Sequence, residues 1–334
     1  MDKRKLGRTP LEVSRLGLGC VTFGREVDEQ TSFAIVDHAI EKGINFFDTA
    51  EGYGGGEARL CRQRQLGLDD VREKTGEMHS SEKILGRWLR ARGCRNEVVL
   101  QTKIGTNFSR THLREALDAS LERLQTDSVD CYLLHHFEAT PPLEETLQAL
   151  TEAQAAGLIC VAGCSNFTAE QLCQALAISR RDSLIRFEVV QPIYNLVSRE
   201  IEADLVPLCH QEQIAVTPFS PLGAGFLTGK YSPGPGGIPG GSRFDVIPGH
   251  MDIYFSERNF ALVEKLRALS QTTGHPMARL ALAWVLRNTE LTSVLIGATS
   301  TTHIDNAVET LGYEFRDEWL STLGLSHEDP LNGE

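Results

Sequence analysis

Asp48, Tyr53, Lys103 and His135 form a set whose side-chain types suit proton transfer to a carbonyl oxygen. Asp48 ends a short apolar run, Ile44 to Phe47, and Tyr53 follows five residues later between Gly52 and Gly54. Lys103 comes directly after Val99-Leu100-Gln101-Thr102, and His135-His136 directly after Cys131-Tyr132-Leu133-Leu134. A free tyrosine ionises at a pH of about 10, too high for rapid proton exchange at neutrality. A nearby ammonium stabilises the phenolate and lowers that value, and a carboxylate such as Asp48 can hold the ammonium in place. Tyr53 would then serve as general acid toward a developing alkoxide, or as base in the reverse oxidation. His135 would orient the carbonyl oxygen or relay its proton. Each residue also has a plainer reading. A tyrosine flanked by glycines is usually surface or packing, a lysine at a strand end is usually solvated, and His135-His136 is a core pair or, less often, a pair of metal ligands. The coincidence of four such residues at the ends of successive apolar runs favours the chemistry.

Carbonyl reduction also needs a hydride donor, and the second half of the chain offers polar groups for one. Ser165 and Asn166 end the run Gly163-Cys164, and Gln191 ends Phe187–Gln191. Ser, Asn and Gln are groups that hydrogen-bond a nicotinamide carboxamide and fix which ring face is presented. Phe219-Ser220-Pro221-Leu222-Gly223 offers an aromatic face for stacking. Ile296-Gly297-Ala298-Thr299-Ser300 leads into a helix expected over Thr301–Gly312, and a glycine turn before a helix N-terminus is a ready phosphate site. The plainer alternative is that these segments are ordinary turns and caps.

The elements that must position these groups are short apolar runs alternating with helix-period segments. The runs are Leu16–Cys20, Asn45–Asp48, Val98–Thr102, Val129–Leu134, Ile159–Cys164, Phe187–Gln191, Ile214–Pro218 and Ser293–Ile296. They do not alternate in polarity, as expected of strands buried on both faces of a parallel sheet. Helices are expected over Glu29–Lys42, Arg114–Leu124 and Leu143–Ala156, and a capping box at Thr168-Ala169-Glu170-Gln171 opens another. Eight such units predict an α/β fold, a single (β/α)8 TIM barrel over residues 1–334. A doubly wound sheet is the alternative, but the first strand lacks the GxGxxG turn that a dinucleotide fold places there. Three segments interrupt the rhythm. Lys5–Val13 reads as an N-terminal β-hairpin covering one barrel end. Gly54–Ser80 is charged and without clean periodicity, and Tyr231–Gly249 is a Gly- and Pro-rich loop. Both long loops are expected on the catalytic face, the first as a cap over the substrate mouth whose loss leaves cofactor affinity alone.

With 41% hydrophobic and 23% charged residues, the 334-residue chain has ordinary globular composition. A formal net charge of −12 argues against nucleic acid or an anionic membrane surface as the main partner. Eight cysteines without CxxC spacing are expected as buried free thiols, and no metal is expected. No apolar stretch follows Met1-Asp2-Lys3-Arg4-Lys5, and no run approaches the ~18 apolar residues of a membrane span, so a cytoplasmic location is expected.

From Lys5 to about Gly312 the chain resembles the aldo-keto reductases. The matching motifs begin with Asp48-Thr49-Ala50-Glu51-Gly52-Tyr53-Gly54, Ser81-Glu82 with Ile84-Leu85-Gly86, and Gly163-Cys164-Ser165-Asn166-Phe167. They continue with Val190-Gln191-Pro192-Ile193-Tyr194-Asn195 and with Phe219-Ser220-Pro221-Leu222-Gly223 leading to Leu227-Thr228-Gly229-Lys230. The resemblance implies NAD(P)H-dependent carbonyl reduction with Tyr53 as proton donor, Asp48 and Lys103 tuning it and His135 orienting substrate. It implies cofactor contacts at Cys20, Asp48, Ser165, Asn166, Gln191, the stretch Phe219, Ser220, Pro221, Leu222 and Gly223, and Gly225. Further contacts are implied at Lys230, Arg243, Gly297, Thr299, His303 and Asn306. Val21, Tyr53, His135, His136 and Asn195 would face the substrate. Lys230 and Arg243 resemble basic residues that approach the cofactor phosphates in the bacterial branch and in the potassium-channel beta subunits. The chain departs from the family at His136, where tryptophan is common, at Phe219, at His303, and at Asn306-Ala307. Gly54–Ser80 is also longer than the usual connection. NADP(H) is the expected cofactor, with NAD the alternative. A small carbonyl or alcohol is the expected partner, a sugar being suggested by Glu51, His136 and Asn195, and homo-oligomerisation is left open. Two other classes are weighed: a non-catalytic, cofactor-sensing subunit, and a metal-dependent barrel hydrolase using His135 and His136.

Overall fold

Side-chain parity along the strands places this protein's functional groups. The structure is a computed structural model describing residues 1–325; the remainder of the expected 1–334 domain lies outside the described residues. Eight parallel strands form one sheet: β3 (Leu16–Gly19), β4 (Phe46–Asp48), β5 (Val99–Ile104), β6 (Val129–Leu134), β7 (Ile159–Ser165), β8 (Phe187–Gln191), β9 (Ala215–Val216) and β10 (Val294–Gly297). β3 pairs with β10 as well as β4. The ring closes between β9 and β10, where Thr292 N donates to Val216 O (2.8 Å) and Leu295 N to Pro218 O (2.9 Å). This is the expected (β/α)8 barrel. β9 is shorter than the apolar run Ile214–Pro218 because Pro218 has no N–H to give to a ladder.

Successive residues of a strand face opposite sides. Phe46, Val99, Cys131, Leu133, Val161, Val189, Ala215 and Leu295 form one cluster inside the barrel. Two or four residues further along the same parity come Asp48, Gln101, Lys103, His135, Ser165, Gln191 and Phe219. The barrel lumen is thus apolar below and polar at the carboxyl end. The other parity packs against the helices in the larger core. An antiparallel hairpin, β1 (Lys3–Lys5) and β2 (Glu12–Ser14), adds Leu6, Leu11 and Val13 to the lower cluster and plugs that end. It is the expected hairpin, its strands lying at the two ends of Lys5–Val13 and extending it to Lys3 and Ser14.

The outer layer is led by α1 (Glu29–Glu41), which is capped by Asp28 accepting from Thr31 N at 2.8 Å. α2 (Gly55–Leu66) and α3 (Ser80–Arg92) both precede β5. α4 (Arg110–Leu124) begins before its first buried residue, Leu113, and so before the helix expected from Arg114. α5 (Leu143–Ala155) follows, and α6 (Ala169–Asp182) carries the full capping box at Thr168 and Gln171. The remainder are α7 (Leu205–Glu212), α8 (Arg243–Val246), α9 (Met251–Tyr254), α10 (Glu257–Thr273), α11 (Met277–Leu286), α12 (Thr301–Thr310) and α13 (Glu318–Leu323).

Helix α2 corrects the expectation that Gly54–Ser80 is irregular. No apolar stripe announces this helix, because Leu60 and Leu66 stay exposed. Its opening glycines are required by close approach: a Cβ on Gly55 would lie 1.8 Å from Thr75 O. The eight cysteines are all free, with Cys160 and Cys173 exposed rather than buried as expected. Among the described residues no helix is long and apolar enough to cross a membrane.

Candidate active site

Asp48, Tyr53, Lys103 and His135 meet at the carboxyl end of the barrel. Lys103 Nζ donates to Asp48 Oδ1 at 2.6 Å and to Thr49 O at 2.8 Å, and both side chains are almost wholly buried. The same carboxylate oxygen accepts from Gln101 Nε2 (2.6 Å) and Gln191 Nε2 (3.0 Å). A buried ion pair persists only when hydrogen bonds support its charges, and with Lys103 these two amides bring three donors to Asp48 Oδ1. Lys103 Nζ lies 4.8 Å from the centre of the Tyr53 ring. Tyr53 OH is 3.5 Å from His135 Nε2, with the two rings edge to face. The loop bearing Tyr53 is held in register by backbone bonds, Thr49 N to Gln101 O (2.9 Å) and Glu51 N to Lys103 O (3.1 Å). Ser81 fixes it from the other side, donating from Oγ to Cys20 O (2.8 Å) and from its backbone N–H to Tyr53 O (3.3 Å).

The electrostatics differ from the simple expectation for Tyr53. Burial raises its phenol above the ordinary value, Lys103 pulls it down and Asp48 pushes it up, and the net direction is upward. Burial opposes the Lys103 ammonium, but Asp48 and Tyr53 outweigh it and hold Lys103 above the usual lysine value. Burial and the nearby Lys103 push His135 down to about 3, so its imidazole is neutral around pH 7. A protonated phenol, a charged ammonium and a neutral imidazole therefore share one corner of the mouth.

The residues expected on the cofactor side lie on adjoining strand ends and loops. Ser165 Oγ donates to Gln191 O (2.7 Å), and Asn166 Nδ2 donates to His135 O (2.9 Å) from a left-handed backbone. Gln191 has its amide on Asp48, and Phe219 stands half-buried at the top of the lumen cluster. Asn195, expected to face substrate, is instead fully buried, its Nδ2 donating to Ser220 O at 3.0 Å; it shapes the turn that follows Phe219. Pro221 is buried, Leu222 packs on the helical core, and Ser220, Gly223 and Gly225 adopt positive φ in this turn. Cys20 is buried beside Asp48, whose carbonyl accepts from Cys20 N at 2.8 Å, and Val21 is half-buried in the next turn. His136 lies toward the outside, with Nε2 3.3 Å from Glu138 Oε1.

Lys230, Arg243 and His303 gather from a loop, from the start of α8 and from the first turn of α12. Arg243 Nη1 lies 3.6 Å from Glu26 Oε1, while Lys230 is within electrostatic reach of both Glu26 and His303. His303 Nδ1 accepts from Thr299 N at 3.2 Å, which leaves the proton on Nε2. Gly297, Thr299 and Asn306 are exposed around the start of α12.

The whole arrangement coincides with a sequence match: the pattern of the Aldo/keto reductase family covers residues 15–323. The chain belongs to the aldo/keto reductase family. It is 32% identical to an uncharacterized oxidoreductase, YrpG, of Bacillus subtilis, over 97% of this chain and 95% of that protein. A probable voltage-gated potassium channel subunit beta of rice is 34% identical over 93% of this chain and 91% of its own. Protein tas of Escherichia coli is 29% identical, with 98% of each covered. Membership makes the chain an oxidoreductase of the class that acts on carbonyl compounds with nicotinamide cofactors.

Within this aldo/keto reductase several site groups went unremarked in the sequence. Gln101 reads as one residue of an apolar strand; only its inward parity, two positions before Lys103, marks it. Its Oε1 is buried without a partner. Arg25, Glu26 and His250 complete the cluster around Arg243. Arg25 Nε donates to Glu26 Oε2 (2.7 Å), and Arg243 Nε donates to His250 Nδ1 (3.4 Å). Burial, with Arg25 nearby, pushes His250 down to about 4. Nothing in the sequence couples residues so far apart.

Proposed function

We propose that this protein is an NADPH-dependent carbonyl reductase in which Tyr53 donates the proton. The observation that carries the reading is the Tyr53 hydroxyl 3.5 Å from the neutral His135, beside the Lys103–Asp48 pair at 2.6 Å. The nicotinamide, when bound, supplies the hydride. Tyr53, protonated at neutral pH, gives up its Oη proton as the carbonyl oxygen gains charge. Lys103 stabilises the phenolate left behind, and Asp48, anchored by Gln101 and Gln191, keeps the ammonium under the ring. His135 offers an uncharged imidazole with which to orient the carbonyl oxygen.

The donor set fits the expected cofactor. Ser165 and Asn166 would hold the carboxamide and Phe219 the face of the ring. Lys230 and Arg243 would meet phosphate, with His303 nearby. Gly297, where an added Cβ would meet nothing within 4 Å, leaves space before the start of α12, whose N-cap Ser300 makes no side-chain capping bond. The two cations support NADP over NAD. Half-buried Glu51 and His136 support a polar carbonyl substrate, a sugar among them. A cytoplasmic location belongs to the same proposal, supported by the free cysteines.

The rice relative, with an Arabidopsis probable channel subunit beta at 32% identity, favours one second reading: a cofactor-sensing regulatory subunit. Mixing the protein with NADPH and a nitrobenzaldehyde separates the two. Steady loss of NADPH absorbance is expected; tight cofactor binding without oxidation would establish the second reading.

A further inference from the structure

We propose that the 55–75 insertion is a brace for the loop carrying Arg243 and His250, with Arg62 as its positioning residue. The proposal rests on Arg243 meeting the cofactor phosphates. Instead of lying free over the substrate mouth, the insertion bonds to the neighbouring long loop at three points. Arg62 Nη1 donates to Val246 O at 3.0 Å. Arg72 Nη1 donates to Asp245 O at 3.0 Å and to its carboxylate at 2.7 Å. Gly249 N donates to Gln65 Oε1 at 3.1 Å. Ala58, Val246 and Ile247 form a small apolar cluster at the same place. Every one of these contacts falls in 245–249, between Arg243 and His250.

Arg62 is fully buried, and all three of its guanidinium nitrogens donate. Besides Val246 O, it donates to Asp70 Oδ1 (2.7 Å), Asp70 O (2.7 Å) and Glu73 Oε2 (2.6 Å). One guanidinium therefore folds the insertion back on itself and ties it to the loop. Apolar burial does little of this, since Leu60, Leu66, Leu68 and Val71 are all exposed. The return segment is anchored elsewhere: Lys74 N donates to Arg25 O (2.9 Å) and Thr75 N to Gly24 O (3.0 Å). Glu26, the residue after Arg25, faces Arg243. The insertion thus grips both walls around Arg243. A Gly- and Pro-rich loop loses much freedom when it closes on a ligand. Ordering it beforehand lets Arg243 meet a phosphate with less of that loss.

The test uses the full chain and four variants: Arg62→Ala, Arg72→Ala, Arg243→Ala and the double Arg62→Ala/Arg243→Ala. Arg62→Ala is expected to weaken NADPH binding, followed by fluorescence quenching, roughly tenfold and NADH binding less, with kcat at saturating NADPH retained. In the Arg243→Ala background the same change should add little, a coupling that general destabilisation does not produce. Hydrogen exchange at residues 243–250 should quicken in Arg62→Ala, and more mildly in Arg72→Ala, which serves if Arg62→Ala fails to fold. Unchanged exchange there would overturn the brace. Unchanged NADPH affinity in Arg243→Ala would overturn the phosphate role of Arg243 and leave the exchange result to decide the brace. A shift confined to the KM of the carbonyl substrate would overturn the proposal in favour of a cap over the mouth.

Discussion

The proposed catalytic corner and the proposed phosphate corner of this barrel handle buried charge in different ways. In the first, Asp48 and Lys103 stand on strand ends, and Gln101, Gln191 and Thr49 O satisfy what the ion pair leaves over. In the second, Arg25 with Glu26, Lys230, Arg243 with His250, and His303 come from four separate segments outside the sheet, and Arg25 Nη2 is buried without a partner. The strand-borne ion pair is bonded on both partners, and the Gln101 side-chain carbonyl oxygen is buried beside it without a partner. The loop-borne site has cationic capacity to spare. A proton donor needs fixed geometry, whereas an anion site needs unspent donors, and the barrel supplies each from the part of its architecture that suits it.

The sharpest way to break this contrast is at Tyr53. Tyr53→Phe is expected to lower turnover by roughly 10²- to 10⁴-fold while leaving NADPH affinity unchanged; near-wild-type turnover would remove Tyr53 from the mechanism. Asp48→Asn comes next. Leaving the Lys103 ammonium buried beside a neutral amide should cost about 3–5 kcal/mol of stability, read as a lower urea midpoint. A stability change below about 1 kcal/mol would mean that Gln101 and Gln191, not the charge, hold the corner together.

The third prediction concerns pH. His135 is held at about 3 in the folded protein, whereas an unfolded histidine titrates at about 6.5. Between those values the unfolded chain binds the extra proton, so stability falls as pH drops, by about 1.4 kcal/mol per pH unit from this group. Above pH 6.5 the contribution is constant. Denaturation curves of His135→Asn, which never protonates, should lose that part of the slope, with His250, at about 4, supplying a similar remainder. The smallest stability effect belongs to the loops. Arg243→Ala should change the urea midpoint by less than about 0.5 kcal/mol in free-energy terms while still weakening NADPH.

The same contrast explains what could be read in the sequence. The strands were legible because a short apolar run ending in a polar residue is how a barrel strand enters its active face. Asp48, Lys103 and His135 were found in this way, and Tyr53 by its distance from Asp48. α2 was hidden because its apolar side chains face solvent and its anchor, Arg62, is a charge in a charged segment. Arg25 and His250 were hidden because loops from distant parts of the chain bring them to Arg243. Asn195 belongs to a motif that implies a place at the mouth, whereas its burial and its bond to Ser220 O make it a support of the Ser220 turn. The upward direction of Tyr53 has no signal in the sequence for a similar reason, since the cost of desolvation depends on depth and no motif records depth.

The closure between β9 and β10 has a mechanical consequence. Five residue pairs join β6 to β7, whereas the closing seam relies on the amides of Thr292 and Leu295 reaching Val216 and Pro218. A cylinder opens where its staves are least stitched, so the first sub-global opening should part this seam, exposing the amides of Thr292 and Leu295 to exchange while the β5–β7 arc stays closed. Phe219 comes one residue after Pro218 on one side of the seam, and Gly297 ends the strand on the other. The line so opened would run between Phe219 and Gly297, the proposed ring-stacking and phosphate ends of the cofactor site, where a long, jointed ligand would be threaded in and let go.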